Sequence, residues 1–147
     1  DVKLSRTGSW VLLTLVNLAQ APQAAEGAEQ ILFSVLAANG LTVTPAPQQQ
    51  QPADEFPLED SQRLQQALQW ARQRGDTYAI TGSVEEWQYK SGLDGEPAVG
   101  ITLRVIEPAS GRILWSASAA RAGWSRESLA GAAQTVLESL VADLPLQ

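Results

Sequence analysis

The sequence contains no cysteine, no histidine and no methionine. The first two absences exclude the usual zinc and iron–sulfur sites, thiol nucleophiles and catalytic triads that need an imidazole. No disulfide can form, so the absence of cysteine says nothing about the redox compartment. No apolar run approaches the roughly 20 residues that a membrane helix needs. The side chains left for chemistry are carboxylates, hydroxyls and two lysines.

Basic residues are also scarce, since ten Lys and Arg stand against sixteen Asp and Glu, for a formal net charge of −6. Nucleic-acid-binding domains normally carry the opposite balance, so no nucleic-acid partner is expected. The missing initiator methionine leads us to expect a processed chain, from which a signal peptide and any lipid-bearing cysteine are already gone. With 147 residues, 44% of them apolar, we expect one globular domain with one hydrophobic core.

The hydrophobic pattern predicts an α/β fold with the order β-α-β-α-β-β-β-α. An apolar run over 10–16 is typical of a strand buried on both faces. Helical spacing follows from Ala24 to a stop at Asn39-Gly40, with Glu26 and Glu29 placed early, where the helix dipole favours acids. Two helical crossovers and then a meander predict a single mixed sheet covered by helices, parallel at first and antiparallel in its last three strands. The remaining predicted elements are a strand over 41–44, a helix from Asp60 or Ser61 to Arg74, strands over 77–90, 97–107 and 112–122, and a last helix capped by Ser125.

Two segments are predicted to lie outside this packing. Residues 1–9 are polar and are expected to form a frayed N-terminal tail. Residues 45–57 hold four prolines and four consecutive glutamines without any hydrophobic period, so we expect an exposed, mobile loop. The single short strand before this loop could not fold alone, and the whole chain, 1–147, is therefore predicted to be one domain.

The sequence contains no motif for catalysis or phosphate binding, since a P-loop, G-x-G-x-x-G, G-x-S-x-G and an EF-hand loop are all missing. Glu85 and Glu86 are the obvious carboxylate pair for glycoside hydrolysis, but successive side chains on a strand point to opposite faces. We therefore expect two solvated positions there, no catalytic residue, no metal, no cofactor and a non-enzymatic protein. Of the three functions considered for this sequence, a glycosidase is the least favoured.

Two surface features are candidates for binding. Asp94 and Glu96 surround an Asp-Gly hairpin turn from which both carboxylates project outward, although turn preference and solubility would explain the same pair. Trp124 precedes the predicted cap Ser125 at a loop-to-helix corner. Its ring either packs on Leu129 as a hydrophobic staple or faces a membrane interface or a partner's pocket.

Several short stretches of the chain form one combined pattern. Its most specific part joins an Asp-Gly-Glu-Pro tip at 94–97 to Gly-Trp-Ser-Arg-Glu-Ser-Leu at 123–129. Taken together, the stretches resemble the PelC family of outer-membrane lipoproteins, and the similarity runs from about Trp10 to Leu144. The matching stretches are 13–18, 21–24, 80–90, 93–97, 111–116 and 123–129.

The resemblance implies a periplasmic domain, held at the outer membrane by an N-terminal lipid that this sequence lacks. It also implies a closed homo-oligomeric ring, with a dodecamer as one candidate size, beneath a PelB-type outer-membrane barrel. Such a ring serves the export of Pel, a biofilm exopolysaccharide that is partly deacetylated and therefore cationic. On this basis Asp94 and Glu96 are expected to be lumen acids that guide the polymer through an electronegative lumen. Trp124 is expected to face the membrane, on the side of the lipid-bearing N-terminus.

A function of another class stays open at this stage. The fold also suits a periplasmic lipoprotein regulator, like the activators of peptidoglycan synthases, or a subunit like those of curli secretion pores. Either would act by protein–protein contact without guiding a polysaccharide. The mass in solution separates the first two readings, because a ring of many copies supports export and a monomer supports a regulator.

Overall fold

The structure is a computed structural model that describes residues 2–47, 59–90, 95–123 and 127–147. In these ranges six strands form one mixed sheet and three helices pack on it, which confirms the predicted α/β class. The elements are β1 (Trp10–Leu12), β2 (Val16–Asn17), α1 (Ala24–Ala38), β3 (Val43–Pro45), α2 (Asp60–Arg74), β4 (Tyr78–Tyr89), β5 (Pro97–Glu107), β6 (Arg112–Ala122) and α3 (Leu129–Ala142).

The sheet has the strand order β3-β1-β4-β5-β6, and β2 also pairs with β4. β1 runs parallel to β3 and β4, whereas β4, β5 and β6 are antiparallel, as predicted. Alternate residues of β1 point to two separate cores. Trp10 and Leu12 join the main core with α1 and α3, while Val11 joins a smaller core under α2. The two crossover helices therefore lie on opposite faces of the sheet.

The apolar run predicted as a single first strand is divided into β1 and β2. Both pair in parallel with β4, with Trp10 opposite Tyr78 and Val16 opposite Ser83. Between them the Leu15 N–H donates to Glu29 Oε1 of α1 at 2.7 Å, so a side chain takes the place of a ladder acceptor. The hydrophobic run predicts that this segment is buried, but it does not indicate where the hydrogen-bonded pairing with β4 is interrupted.

The helix starts differ from the predicted ones at two points. The N-cap of α2 is Glu59, whose N–H donates to Gln62 Oε1 at 3.1 Å. The N-cap of α3 is Ser128, whose hydroxyl accepts from the Gly131 N–H at 2.9 Å, so the prediction of Ser125 as the cap is wrong, although Ser125 itself lies outside the described residues. Leu129 is consequently the first residue of α3 and not the fourth, the position that the predicted hydrophobic staple requires.

Residues 4–9 pack on the domain, and the prediction of a frayed tail is wrong for them. Leu4 is 1% exposed and forms a parallel bridge with Leu146. The Ser5 N–H donates to the Tyr78 hydroxyl at 3.0 Å, and Trp10 Nε1 donates to the Ser5 carbonyl at 2.9 Å. Local polarity suggested a tail because the groups that hold this segment lie far away in the sequence.

The predicted loop over 45–57 falls mainly on 48–58, which lie outside the described residues. The strand before this loop ends one residue later than predicted, because Pro45 is the last residue of β3. The Ala46 N–H then donates to the Leu12 carbonyl at 2.8 Å. Proline fits at this point because β3 is an edge strand of the described sheet, where one side of the backbone needs no partner.

Candidate functional site

The predicted acidic tip lies at the end of the β4–β5 hairpin. The Lys90 N–H donates to the Glu96 carbonyl at 2.7 Å, which closes the base of the connection. Gly95 has a φ of +54°, in the left-handed region that a tight turn of this kind requires. The Glu96 side chain is exposed, while Asp94 lies outside the described residues.

The chain approaches and leaves 124–126 beside this hairpin end. Trp124 itself lies outside the described residues. The Gly123 N–H donates to the Pro97 carbonyl at 2.8 Å, and the Leu129 N–H donates to the Tyr89 hydroxyl at 3.1 Å. Both acceptors flank the tip, so the two segments singled out by the sequence have neighbouring ends in the fold.

The N-terminal residues lie at the other end of β4. Ser5 is bonded to Tyr78, the first residue of this strand, whereas Leu129 is bonded to Tyr89, its last residue. A strand advances by about 3.3 Å per residue, and β4 has 12 residues. The N-terminal residues and the flanks of Trp124 are therefore a full strand length apart. That Trp124 shares a membrane-facing side with the lipid-bearing N-terminus stays a prediction.

A β-bulge in β4 brings Glu85 and Glu86 to one face of the sheet. The register shifts between Val84 and Glu86, and in such a bulge two successive residues oppose one partner. Glu85 Oε1 accepts from Thr102 Oγ1, and a Cβ placed at Gly100 would lie 3.6 Å from the Glu86 Cβ. Thr102 and Gly100 are two apart on β5 and share a face. The expectation that the two acids point to opposite faces is therefore wrong, because alternation fails at a bulge.

The bulge acids belong to a polar sheet face. Glu85 is exposed and also accepts from Ser83 Oγ at 3.2 Å, while Thr102 Oγ1 and Ser118 Oγ are 2.7 Å apart. Hydroxyls from β4 and β5 thus orient the Glu85 carboxylate, and Ser118 of β6 extends the network. Neither Glu85 nor Glu86 lines the cleft described next.

A cleft of about 650 Å³ lies beyond the carboxyl end of β1, between α1 and α2. The crossover after β1 and β2 passes over one face of the sheet and the crossover after β3 passes over the other. A crevice opens where adjacent connections diverge in this way, and open α/β sheets bind ligands at such points. The lining includes Leu13, Leu15, Glu26, Glu29, Phe33, Arg63, Ala67 and Trp70.

Glu29 is the acid that the fold fixes inside this cleft. Its Oε1 accepts the Leu15 N–H at 2.7 Å. Burial raises the pKa of Glu29 above its ordinary value of 4.5, and the nearby Glu26 carboxylate raises it further, while the Leu15 hydrogen bond acts in the opposite direction. The sequence identified Glu29 only as an acid early in a helix. The feature of the sequence that could have indicated this crevice is the predicted β-α-β-α order, because two successive crossovers can pass over opposite faces of the sheet.

Among the described residues, no group of three or more metal-ligating side chains is arranged to hold a metal ion. No helix in the described ranges is both long enough and apolar enough to cross a membrane.

The fold and about a third of the sequence are shared with known structures. The chain is similar to the PelC dodecamer from Paraburkholderia phytofirmans, with 33% identity, a TM-score of 0.80 and coverage of 98% of this chain and 91% of that chain. A dodecamer of a single-residue variant of that PelC matches at 33% identity with a TM-score of 0.80, over 99% of this chain and 94% of that chain.

A more distant likeness shows the fold alone. Lipoprotein GNA1162 from Neisseria meningitidis matches at 15% identity with a TM-score of 0.62, over 92% of this chain and 96% of that chain. The LpoB C-terminal domain from Salmonella enterica matches at 18% identity with a TM-score of 0.54, over 81% of this chain and 85% of that chain. No protein-family model and no curated protein matches the sequence.

Proposed function

Because the chain belongs to the PelC family, we propose that it is a subunit of a homo-oligomeric ring that guides a cationic exopolysaccharide to its outer-membrane channel. The observation that carries this proposal is 33% identity to a PelC dodecamer over 98% of the chain. The family resemblance supplies the partners, which are the Pel polymer, a PelB-type barrel and the outer membrane. We place the ring at the periplasmic face of that membrane, held by N-terminal lipids, and assign it no enzymatic activity.

The charge of the chain suits a cationic polymer. The net charge is −6, and in a closed ring each copy contributes its acids around one axis, so that their fields add. We propose that Asp94 and Glu96 line this lumen, which is supported by the exposure of Glu96 at the hairpin end. An exposed ion pair contributes only about 0–1 kcal/mol, so a polymer meeting many such acids can slide without being trapped.

Strand β6 is a suitable surface for ring assembly. It is 11 residues long and forms an outer edge of the described sheet, with β5 on its other side. An open edge presents N–H and C=O groups that a neighbouring chain can pair with or cover. Ile113, near the start of β6, is 58% exposed, and burying it against a neighbouring copy would remove apolar surface from water.

Charge substitutions at Asp94 test the guiding role. In cells that lack their own copy of the protein, Asp94→Asn should reduce polysaccharide export and Asp94→Lys should reduce it more, because lysine repels a cationic chain. The sequence predicts that Asp94 is an exposed turn acid, which would contribute little to stability, so melting temperature and ring mass should stay near those of the wild type. The matched control is Glu138→Lys, which makes the same charge change at an exposed position of α3.

Wild-type export by Asp94→Lys, with the protein folded and assembled, would contradict the lumen role. Turn preference and solubility would then explain Asp94 and Glu96. Equal losses in Asp94→Lys and Glu138→Lys would point to net charge in place of the tip. The alternative of a regulator that acts by protein contact is not favoured by any observation on this chain, because the 18% identity to LpoB carries only the fold.

A further inference from the structure

We propose that the cleft between α1 and α2 binds an amine-bearing sugar, an unacetylated hexosamine unit, with Glu29 as the carboxylate that receives the ammonium group. The inference rests on the proposed function for the origin of that sugar, the cationic polymer. Its position, charge and lining come from the fold itself. It gives each subunit a binding site of its own, separate from the lumen acids.

The position of the cleft fits a ligand site. It lies at the carboxyl ends of parallel β1 and β3, where the crossover helices diverge to opposite faces of the sheet. Its volume of about 650 Å³ falls within the range of small-molecule sites, roughly 300–1,000 Å³. Apolar walls with a few convergent polar groups are also typical of such sites.

The charges around Glu29 favour a cation. Glu26 faces it from α1, and Asp60 and Arg63 face it from α2. Arg63 forms an ion pair with Asp60, which also accepts the Asn17 N–H at 2.7 Å. The Asp60–Arg63 pair cancels its own charge, so the two carboxylates of α1 leave the cleft negative.

Glu29 has capacity left for a ligand. The Leu15 N–H occupies Oε1, and among the described residues Oε2 has no hydrogen-bond partner. Among the described residues no buried side-chain oxygen lacks a partner, so Oε2 is in contact with solvent and open to a ligand. An ammonium group placed at Oε2 would form a charge-assisted hydrogen bond with the carboxylate.

The aromatic lining favours a sugar that carries the amine. Phe33 of α1, 41% exposed, and Trp70 of α2 both line the cleft. The Trp70 ring makes a cation–π contact with the protein's own Arg74, whose guanidinium carbon lies 4.8 Å from the ring centroid. A hexosamine combines an apolar ring face for these walls with an ammonium for the carboxylate, whereas a simple polyamine has no ring face to pack.

Calorimetric titration of the assembled protein tests the site. The probes are a tetramer of unacetylated glucosamine, its fully N-acetylated counterpart, and spermine as a cation without a sugar. We expect the unacetylated tetramer to bind more tightly than either of the others. Glu29→Gln keeps an acceptor for the Leu15 N–H and should weaken binding by about tenfold or more, since one hydrogen bond to a charged group is lost. Glu138→Gln, an exposed acid on α3, should bind like the wild type.

Carbodiimide labelling with mass spectrometry locates the bound probe. The unacetylated tetramer should protect Glu29 from labelling and leave the control residue Glu138 unprotected. Protection of Glu96 in place of Glu29, equal binding of the acetylated tetramer or spermine, or wild-type affinity in a folded Glu29→Gln variant would each overturn the inference.

The two proposals fail separately. If wild-type protein binds no tetramer while Asp94→Lys still lowers export, the cleft site is wrong and ring guidance stands. If Glu29-dependent binding is found while Asp94→Lys exports normally, the lumen role is wrong and the cleft site stands.

Discussion

Glu29 carries an electrostatic cost within the fold that contains it. Burial raises the pKa of its carboxyl group above 4.5, so the folded protein holds this proton at a pH where the unfolded chain has released it. Between the two pKa values the native state binds more protons than the unfolded state. The free energy of unfolding therefore falls as the pH rises through that window.

Glu29→Gln should thus increase the free energy of unfolding at neutral pH. Glutamine removes the charge and keeps an oxygen for the Leu15 N–H. The gain should be largest at pH 7 and should shrink towards pH 4, where the wild-type carboxyl is protonated as well. Urea denaturation at both pH values, at equal protein concentration, measures the difference. Glu138→Gln on the surface of α3 is the control, and a variant that is no more stable than wild type at pH 7 would contradict the account.

Trp124 is the residue whose proposed role differs most from ordinary packing. If the ring faces the membrane, Trp124→Ala should melt close to the wild type while flotation of the lipidated protein with outer-membrane vesicles decreases. If the ring is core, the same change should cost about 3–5 kcal/mol. Trp10→Ala supplies the reference for a core tryptophan, because Trp10 is 2% exposed. A loss of stability at Trp124 equal to that at Trp10, with flotation intact, would exclude the membrane role.

At the scale of elements, α3 shows how a helix start is chosen among several serines. Ser125 and Ser128 both have a suitable side chain, and the sequence favoured Ser125 because Trp124 and Leu129 then match a staple. The structure uses Ser128, whose backbone is extended and whose hydroxyl accepts from Gly131. The Leu129 N–H is also bonded to the Tyr89 hydroxyl of β4, so a neighbouring strand helps to fix the first turn.

Alanine substitutions distinguish the two serines. Ser128→Ala should lower the free energy of unfolding by about 1 kcal/mol, the usual cost of losing an N-cap. Ser125→Ala should have a much smaller effect, and it serves as the matched control. Chemical denaturation of the two variants side by side makes the comparison, and the reverse order of stabilities would restore the earlier helix start.

At the scale of the whole molecule, the family assignment predicts a large assembly. Light scattering on the soluble chain should give a mass close to twelve times that of the monomer, because the PelC relative with 33% identity is a dodecamer. If the soluble chain dissociates on dilution, the lipidated form in detergent is the second sample. A strict monomer in both samples would rule out the ring and favour a regulator.

Much of the architecture follows from the sequence alone, because it depends on local chemistry. The apolar residues of α3 recur at helical spacing in the sequence, and the helix buries Val136, Leu137, Leu140 and Val141. The Asn39-Gly40 stop ends α1, and β4 and β5, which flank the predicted Asp-Gly turn, are antiparallel. Periodicity and turn residues act over a few positions, so they can be read without knowing the fold. Membership of the PelC family could also be inferred from the sequence, because several short stretches that resemble that family occur along nearly the whole chain.

Other features were decided by contacts between residues that are distant in the sequence. The bulge that puts Glu85 and Glu86 on one face depends on the pairing of β4 with β5, and at the break between β1 and β2 the Leu15 N–H is bonded to Glu29 of α1. Leu4 is buried because the C-terminal segment covers it. The cleft exists only where the carboxyl ends of parallel β1 and β3 meet the two crossover helices. A sequence pattern reports which residues prefer burial, whereas the partners of each backbone and side-chain group are set only when the chain closes on itself.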